Sequence, residues 1–89
     1  MLEIEKTLVA STCHIAQNEL DSLPSLFSSY NCEYGTLIYI GSNIDYYLSD
    51  SRLSDELKIM ILFAQSNDCS HIKFDSDGVV YEDFKCFDW

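Results

Sequence analysis

Two histidines and four cysteines are the residues of this chain best suited to chemistry, and their spacing decides what they can do. Cys13-His14, Cys69-x-His71 and Cys86 together hold the nitrogen and sulfur donors that a tetrahedral zinc site requires. No C-x2-C pair accompanies them, and two ligands adjacent on a strand, as Cys13 and His14 would be, point to opposite faces. The pattern favours cysteines packed in the core over a metal centre, and no cofactor is expected. Spacing gives His14 neither a carboxylate nor a nucleophile to work with. It therefore reads as a strand-end residue with a satisfied ring, not as an acid–base catalyst. Asp75-x-Asp77-Gly78 opens like a calcium loop, but the EF-hand glycine belongs at position six and a bidentate Glu at twelve. Here Gly78 falls at position four and Cys86 at twelve, and a hairpin turn accounts for the same residues. There is no glycine-rich phosphate loop, no G-x-S-x-G and no H-E-x-x-H, so no enzymatic activity is expected.

An even cysteine count in a short chain suggests two disulfides, but a secretory leader would have to accompany it. There is no basic-then-apolar leader and no apolar run of membrane-spanning length. The expectation is a soluble, unexported cytoplasmic protein with free buried thiols. Its 89 residues make one domain, residues 1–89, and a hydrophobic fraction of 47% argues against disorder.

Fifteen acidic residues against five basic ones give a formal charge of −10. Such a charge repels nucleic acid and anionic membrane, and no basic stripe exists to bind nucleic acid directly. It favours partners with positive surfaces, many of which exist to hold DNA or RNA. It also serves plain solubility.

The elements that would position these groups are read from periodicity. Met1 to Lys6 is polar and loose. Thr7–Thr12 is rich in β-branched residues and reads as a first strand. Asp21 or Ser22 can cap a helix through Leu23, Leu26, Phe27 and Tyr30, which places Pro24 in the first turn, where its missing N–H has no partner to lose; Asn31 stops it. Tyr34–Ile40 is the strongest strand signal, apolar on both faces and so expected to be central with both sides partly covered. Ser42–Arg52 reads as a polar loop. Ser54 caps a second helix with Asp55 and Glu56 in its first turn. Leu57, Met60, Ile61 and Ala64 form one apolar stripe, and Ile59, Leu62 and Phe63 a second beside it. Such a helix is either cradled between the sheet and the first helix or covered on one side by another protein. Cys69–Asp75 alternates around Ile72 and Phe74, and Val79–Tyr81 would return after the Asp75–Gly78 turn. Phe84, Phe87 and Trp89 should fold back on the core.

The order β-α-β-α-β-β predicts an α+β two-layer sandwich, with helices on one face of a small mixed or antiparallel sheet. On it, Asp45, Asp50, Asp55 and Glu56, with Tyr46 and Tyr47, form one acidic region, and Asp68, Asp75, Asp77, Glu82, Asp83 and Asp88 another, of which all but Asp68 and Asp88 are candidate contact residues. Tyr with rim charges suits protein recognition, so these ten are the expected partner-binding residues.

Four segments carry a family resemblance: Ser11-Thr12-Cys13-His14-Ile15, Glu33-Tyr34-Gly35, the helix from Leu53-Ser54 to Cys69, and Phe74-Asp75-Ser76-Asp77-Gly78 with the closing Phe87-Asp88-Trp89. The chain resembles a small bacterial family of unknown function with S-T-x-H-I, E-Y-G and D-x-D-G…D-W motifs. Its members tend to be encoded on plasmids, prophages and other mobile elements. The resemblance implies no catalytic residues, only the context of an accessory gene. Joined to the charge, it leads to a small acidic inhibitor. This would block a basic, nucleic-acid-handling surface of a host protein or ribonucleoprotein complex, in the manner of an anti-CRISPR or anti-restriction protein. The alternative is a homodimeric accessory or antitoxin-like module assembled through the apolar second helix.

Overall fold

The last strand, Cys69–Asp75, lies inside the sheet, and the rest of the chain is arranged on its two edges. The computed structural model describes residues 5–32, 34–41 and 44–87. In chain order the elements are β1 (Lys6–Ser11), a 3-10 turn (Thr12–His14), α1 (Gln17–Leu26), β2 (Ser28–Cys32), β3 (Gly35–Tyr39), α2 (Asp45–Leu48), α3 (Asp55–Ser66) and β4 (Cys69–Asp75). The sheet order is β1-β4-β3-β2. β1 pairs with β4 in parallel, while β2–β3 and β3–β4 are antiparallel. This is an α+β architecture with a small mixed sheet.

Strand alternation sets the layers. Leu8 and Ala10, Ile38, and Ile72 and Phe74 point to one face and are buried. Leu23 of α1 and Leu57, Met60, Ile61 and Ala64 of α3 cover them, forming one core with Ile15, Phe27, Ile40, Ile44 and Leu53. The opposite face stays open: Val9 and Tyr39 are exposed and Leu37 is half-buried. Thus β3 is an inner strand, as its composition suggests, although only its Thr36 and Ile38 side is fully covered.

Three expectations are corrected. Val79–Tyr81 forms no return strand, because β1 and β3 already occupy both edges of β4. The Asp75–Gly78 turn itself is present: the N–H of Gly78 donates to the carbonyl of Asp75 at 2.9 Å, and that of Asp77 to Asp75 Oδ1 at 2.9 Å. Beyond it the chain crosses to the end of β1, where the N–H of Ser11 donates to the carbonyl of Val79 at 2.8 Å. The first helix begins at Gln17 rather than near Asp21, so Pro24 sits in its last turn. There the helix stops two residues later, and Ser28–Cys32 becomes strand β2 instead of helix. Finally, Asp45–Leu48 inside the expected polar loop is a short helix, anchored by buried Ile44. The expectations for Met1–Ile4, Glu33, Asp88 and Trp89 lie outside the described residues.

The start of α3 is held from a distance. Ser54 accepts from the N–H of Leu57 at 3.1 Å, as a capping serine does. Glu19 of α1 accepts from both the backbone N–H of Ser54 at 2.8 Å and its hydroxyl at 2.6 Å. One carboxylate on α1 therefore fixes where α3 begins.

Gly35 lies against the backbone of β4, where an added Cβ would fall 1.6 Å from the carbonyl oxygen of Phe74. A side chain there must push β3 off β4. Gly35→Ala should lose at least ~3 kcal/mol, read as a lower urea midpoint, or fail to fold. Gly41→Ala, at φ +69 and free of backbone clash, should lose only ~1 kcal/mol.

Candidate functional site

Strand direction decides which of the expected binding residues meet. β1 and β4 run in parallel and end together, at Ser11 and Asp75. α3 turns back into β4 after two residues and packs on it, so the first turn of α3 lies at that same end. Asp55, Glu56, Asp75, Asp77, Glu82 and Asp83 are thereby gathered around one end of the sheet. Tyr47 goes to the other end, where its ring stacks on Phe27 at 4.6 Å just before β2. Tyr46, one residue earlier on α2, interacts with Arg52, which shares a depression with Ser54 and Glu56 at the start of α3. Tyr46 is 65% exposed, whereas Tyr47 is half-buried and partly structural. Burial, then the neighbouring Tyr46 and Tyr39, pushes the Tyr47 hydroxyl above its ordinary value of 10.0. Glu56 of α3 and Asp83 of the tail line one depression, so the two expected regions adjoin at the start of α3.

Three carboxylates are committed locally. Asp50 takes a two-pronged bond from Arg52, with Nε–Oδ1 at 3.0 Å and Nη2–Oδ2 at 2.7 Å, plus the Arg52 backbone N–H at 2.9 Å. These bonds hold its carboxyl down at about 2 from an ordinary 3.8. Asp75 lies 3.4 Å from Lys73, and Glu5 lies 3.8 Å from His71 Nε2.

The tail reaches this end through His14, a buried residue that sequence places only at a strand end. Its Nδ1 lies 2.8 Å from the carbonyl oxygen of Lys85, and its Nε2 accepts from the N–H of Tyr81 at 2.9 Å. A carbonyl can only accept and an amide N–H can only donate. The ring is therefore the neutral Nδ1–H tautomer, with both nitrogens used. Phe84 meets it edge-on at 5.5 Å, and the N–H of Phe87 donates to the carbonyl of Cys13. The expectation of a satisfied ring is what the structure shows. The partners, sixty-seven and seventy-one residues away, had no local signal.

The clasp builds a surface beside α3. His14, Glu56, Ile59, Asp83, Phe84 and Lys85 line a depression of about 160 Å³. Phe63 meets Phe84 at 5.3 Å and Tyr81 at 6.4 Å. Ile59 is 53% exposed, Leu62 45% and Phe63 38%, so α3 is buried on one stripe and open along the other. A second depression, about 310 Å³, runs from Glu19 and Arg52 past Glu56 to Phe87.

A third depression, about 390 Å³, is at the opposite end between Tyr39, Gly41, Gln65, Asp68, Cys69 and Ser70, which sets Asp68 apart from the carboxylates of the turn and tail with which it was expected to group. Ser70 Oγ lies 2.8 Å from His71 Nδ1 beside it. The nearby N–H groups of Ile40 and Gly41 both donate to the Ser70 carbonyl, which leaves neither to stabilise an oxyanion. Among the described residues no three His, Cys, Asp or Glu side chains gather to hold a metal. None of the four cysteines is in a disulfide, and none is fully buried: Cys13, Cys32 and Cys69 are half-buried and Cys86 exposed. The expectation of core cysteines holds only for Cys69, which packs against the core from the start of β4; Cys13 lies in the 3-10 turn, Cys32 at the end of β2 and Cys86 in the tail. No helix among the described residues is long and apolar enough to cross a membrane.

Two outcomes follow from these bonds. His14→Phe keeps the ring contacts but leaves the Tyr81 N–H and Lys85 carbonyl unpaired. It should lower stability by about 2 kcal/mol and speed hydrogen exchange at the Tyr81 amide. Asp50 has a folded-state value below its unfolded one, so its contribution is present above pH 3.8 and is lost as pH falls through about 2. An NMR titration should place its midpoint near 2, and Arg52→Ala should return it to the ordinary carboxylate range.

No curated protein and no solved structure matches the chain. A family match covers residues 7–89, nearly all of the sequence and the four described strands but for the first residue of β1. It is to the C-terminal domain of a family of unknown function, DUF5983, and the chain belongs to that family.

Proposed function

We propose that this chain is a small acidic, non-enzymatic binding protein of the bacterial cytoplasm, carried on a plasmid or prophage. It occupies a basic, nucleic-acid-handling surface of a host defence complex, as an anti-CRISPR or anti-restriction inhibitor would. The observation that carries this reading is the gathering of Asp55, Glu56, Asp75, Asp77, Glu82 and Asp83 at one end of the sheet. Two of the five cations, Arg52 and Lys73, are meanwhile drawn onto Asp50 and Asp75. A surface of that sign repels DNA and RNA and attracts the lysine- and arginine-lined channels that hold them. Tyr46, which interacts with Arg52 near the start of α3, belongs to the border of the contact together with Asp45 of the same short helix.

A homodimeric accessory or antitoxin-like module is the second reading, and the exposure of Ile59, Leu62 and Phe63 favours it. Light scattering on concentrated protein separates the two: a strict monomer removes the dimer.

The test is a pull-down from host lysate, followed by binding to the recovered complex across a salt series with nucleic acid as competitor. Affinity should fall steeply as salt rises, because exposed charges are screened beyond about 8 Å at physiological ionic strength. Nucleic acid should displace the chain from its target. Affinity indifferent to salt, or a ternary complex with nucleic acid still bound, would remove the proposal.

A further inference from the structure

Ile59, Leu62 and Phe63 sit at i, i+3 and i+4 on α3 and form one open stripe. Phe63 continues through the rings of Tyr81 and Phe84 to the tail, where Val79 is 52% exposed and Val80 63%. The two tail rings lie 5.4 Å apart, and His14 holds the segment that carries them. The apolar strip is therefore a built feature of the fold and not a frayed terminus. It exposes on the order of 400 Å² of apolar surface, within the range where such patches mark interaction sites.

What covers it is decided by area and charge. A stable interface needs about 800 Å² per partner, so the strip supplies the centre of a contact but not all of it. The remainder must come from its border, which holds Asp55 and Glu56 at the head of α3 and Glu82 and Asp83 in the tail. Glu56 and Asp83 share the depression walled by Ile59 and Phe84. Lys85 also lines it, but its ammonium lies over the Phe87 ring at 4.9 Å, so an incoming lysine or arginine would meet the apolar wall with its stem and the two carboxylates with its head, in competition with Lys85. Two copies of this chain, each at −10, would instead bring like charge together around the strip.

We infer that the α3–tail face is the docking surface, and that its occupant is a protein segment presenting an apolar stripe flanked by lysine or arginine. This rests on the reading of the chain as a binder of basic surfaces, and adds to it where contact is made and that the contact has an apolar centre. The basic target would be gripped by side-chain burial as well as by field, so its register on this domain is set by Ile59, Leu62 and Phe63.

The probe is a synthetic helical peptide with leucines along one face and lysines flanking them, titrated into the isotope-labelled full chain by NMR. Its control has the leucines replaced by serine at unchanged charge. The leucine peptide should shift the amides of Ile59, Leu62, Phe63 and Tyr81. Leu62→Asp, at a half-exposed site that should leave the urea midpoint unchanged, should weaken it at least tenfold; Leu62→Ser should weaken it less. Glu56→Gln with Asp83→Asn should flatten the salt dependence and leave the apolar shifts in place. If the serine peptide binds as well and Leu62→Asp changes nothing, the docking surface is wrong while the charge-based function stands. If the α3 shifts appear but nucleic acid never competes with the chain for a host target, the function falls and the surface stands. A concentration-dependent dimer dissolved by Leu62→Asp would give the face to a second copy and overturn the inference.

Discussion

Both edges of β4 are paired, and most of the molecule follows from that constraint. A strand with β1 on one side and β3 on the other cannot accept a third neighbour, so the segment after the Asp75–Gly78 turn has to leave the sheet. Backbone groups that leave a ladder need partners elsewhere. The tail finds them at the end of β1, through the Ser11–Val79 bond and the two bonds to His14. Tyr81 adds its hydroxyl to the carbonyl of Val9 at 2.9 Å, along the open edge of β1. An edge that would otherwise invite another strand is partly covered by the protein's own tail.

The same arrangement makes the candidate surface. Tying the tail back beside α3 brings Phe84 and Tyr81 against Phe63, and Asp83 beside Glu56. Had residues 79–81 paired with β4 as a hairpin, the aromatic residues and the carboxylates of the tail would have been carried away from the helix. His14 is thus a positioning residue: its ring is fully used in holding backbone, and its effect on binding would be exerted through the tail.

The carboxylates do more than one job. Asp55 and Glu56 stand at the positive end of the α3 dipole and favour the helix whatever they bind. Glu19 fixes the cap of α3, Asp50 orders the approach to it through Arg52, and Asp75 closes the turn. A net charge of −10 is therefore partly a structural device, and its external field is what remains after these commitments. Part of that remainder stands where the helix starts and β4 ends, because capping and turn chemistry both call for carboxylates at that end.

Local chemistry was enough for much of this. Ser54, Asp55 and Glu56 announce the start of α3, the Leu57–Ala64 stripe its buried side, the Ile72/Phe74 alternation β4, and Asp75–Gly78 its turn. Each depends on neighbours within a few residues, which is why it was legible. Pro24 misled, because its preference for a first turn does not decide where α1 begins: the helix starts at Gln17 and Pro24 falls in its last turn. The return strand misled because pairing is a competition for edges, and a chain read in order does not show that β1 will take the edge of β4 first. Apolar, acidic and aromatic residues were all visible as types; which of them share a face was settled only by long-range pairing. The sequence by itself determined the layers and the surplus charge, since periodicity and composition are local sums. The tertiary structure alone decided that His14 clasps the tail, that Ile59, Leu62 and Phe63 stay open, and that the carboxylates of helix and tail meet, since each requires contact between residues distant in the chain.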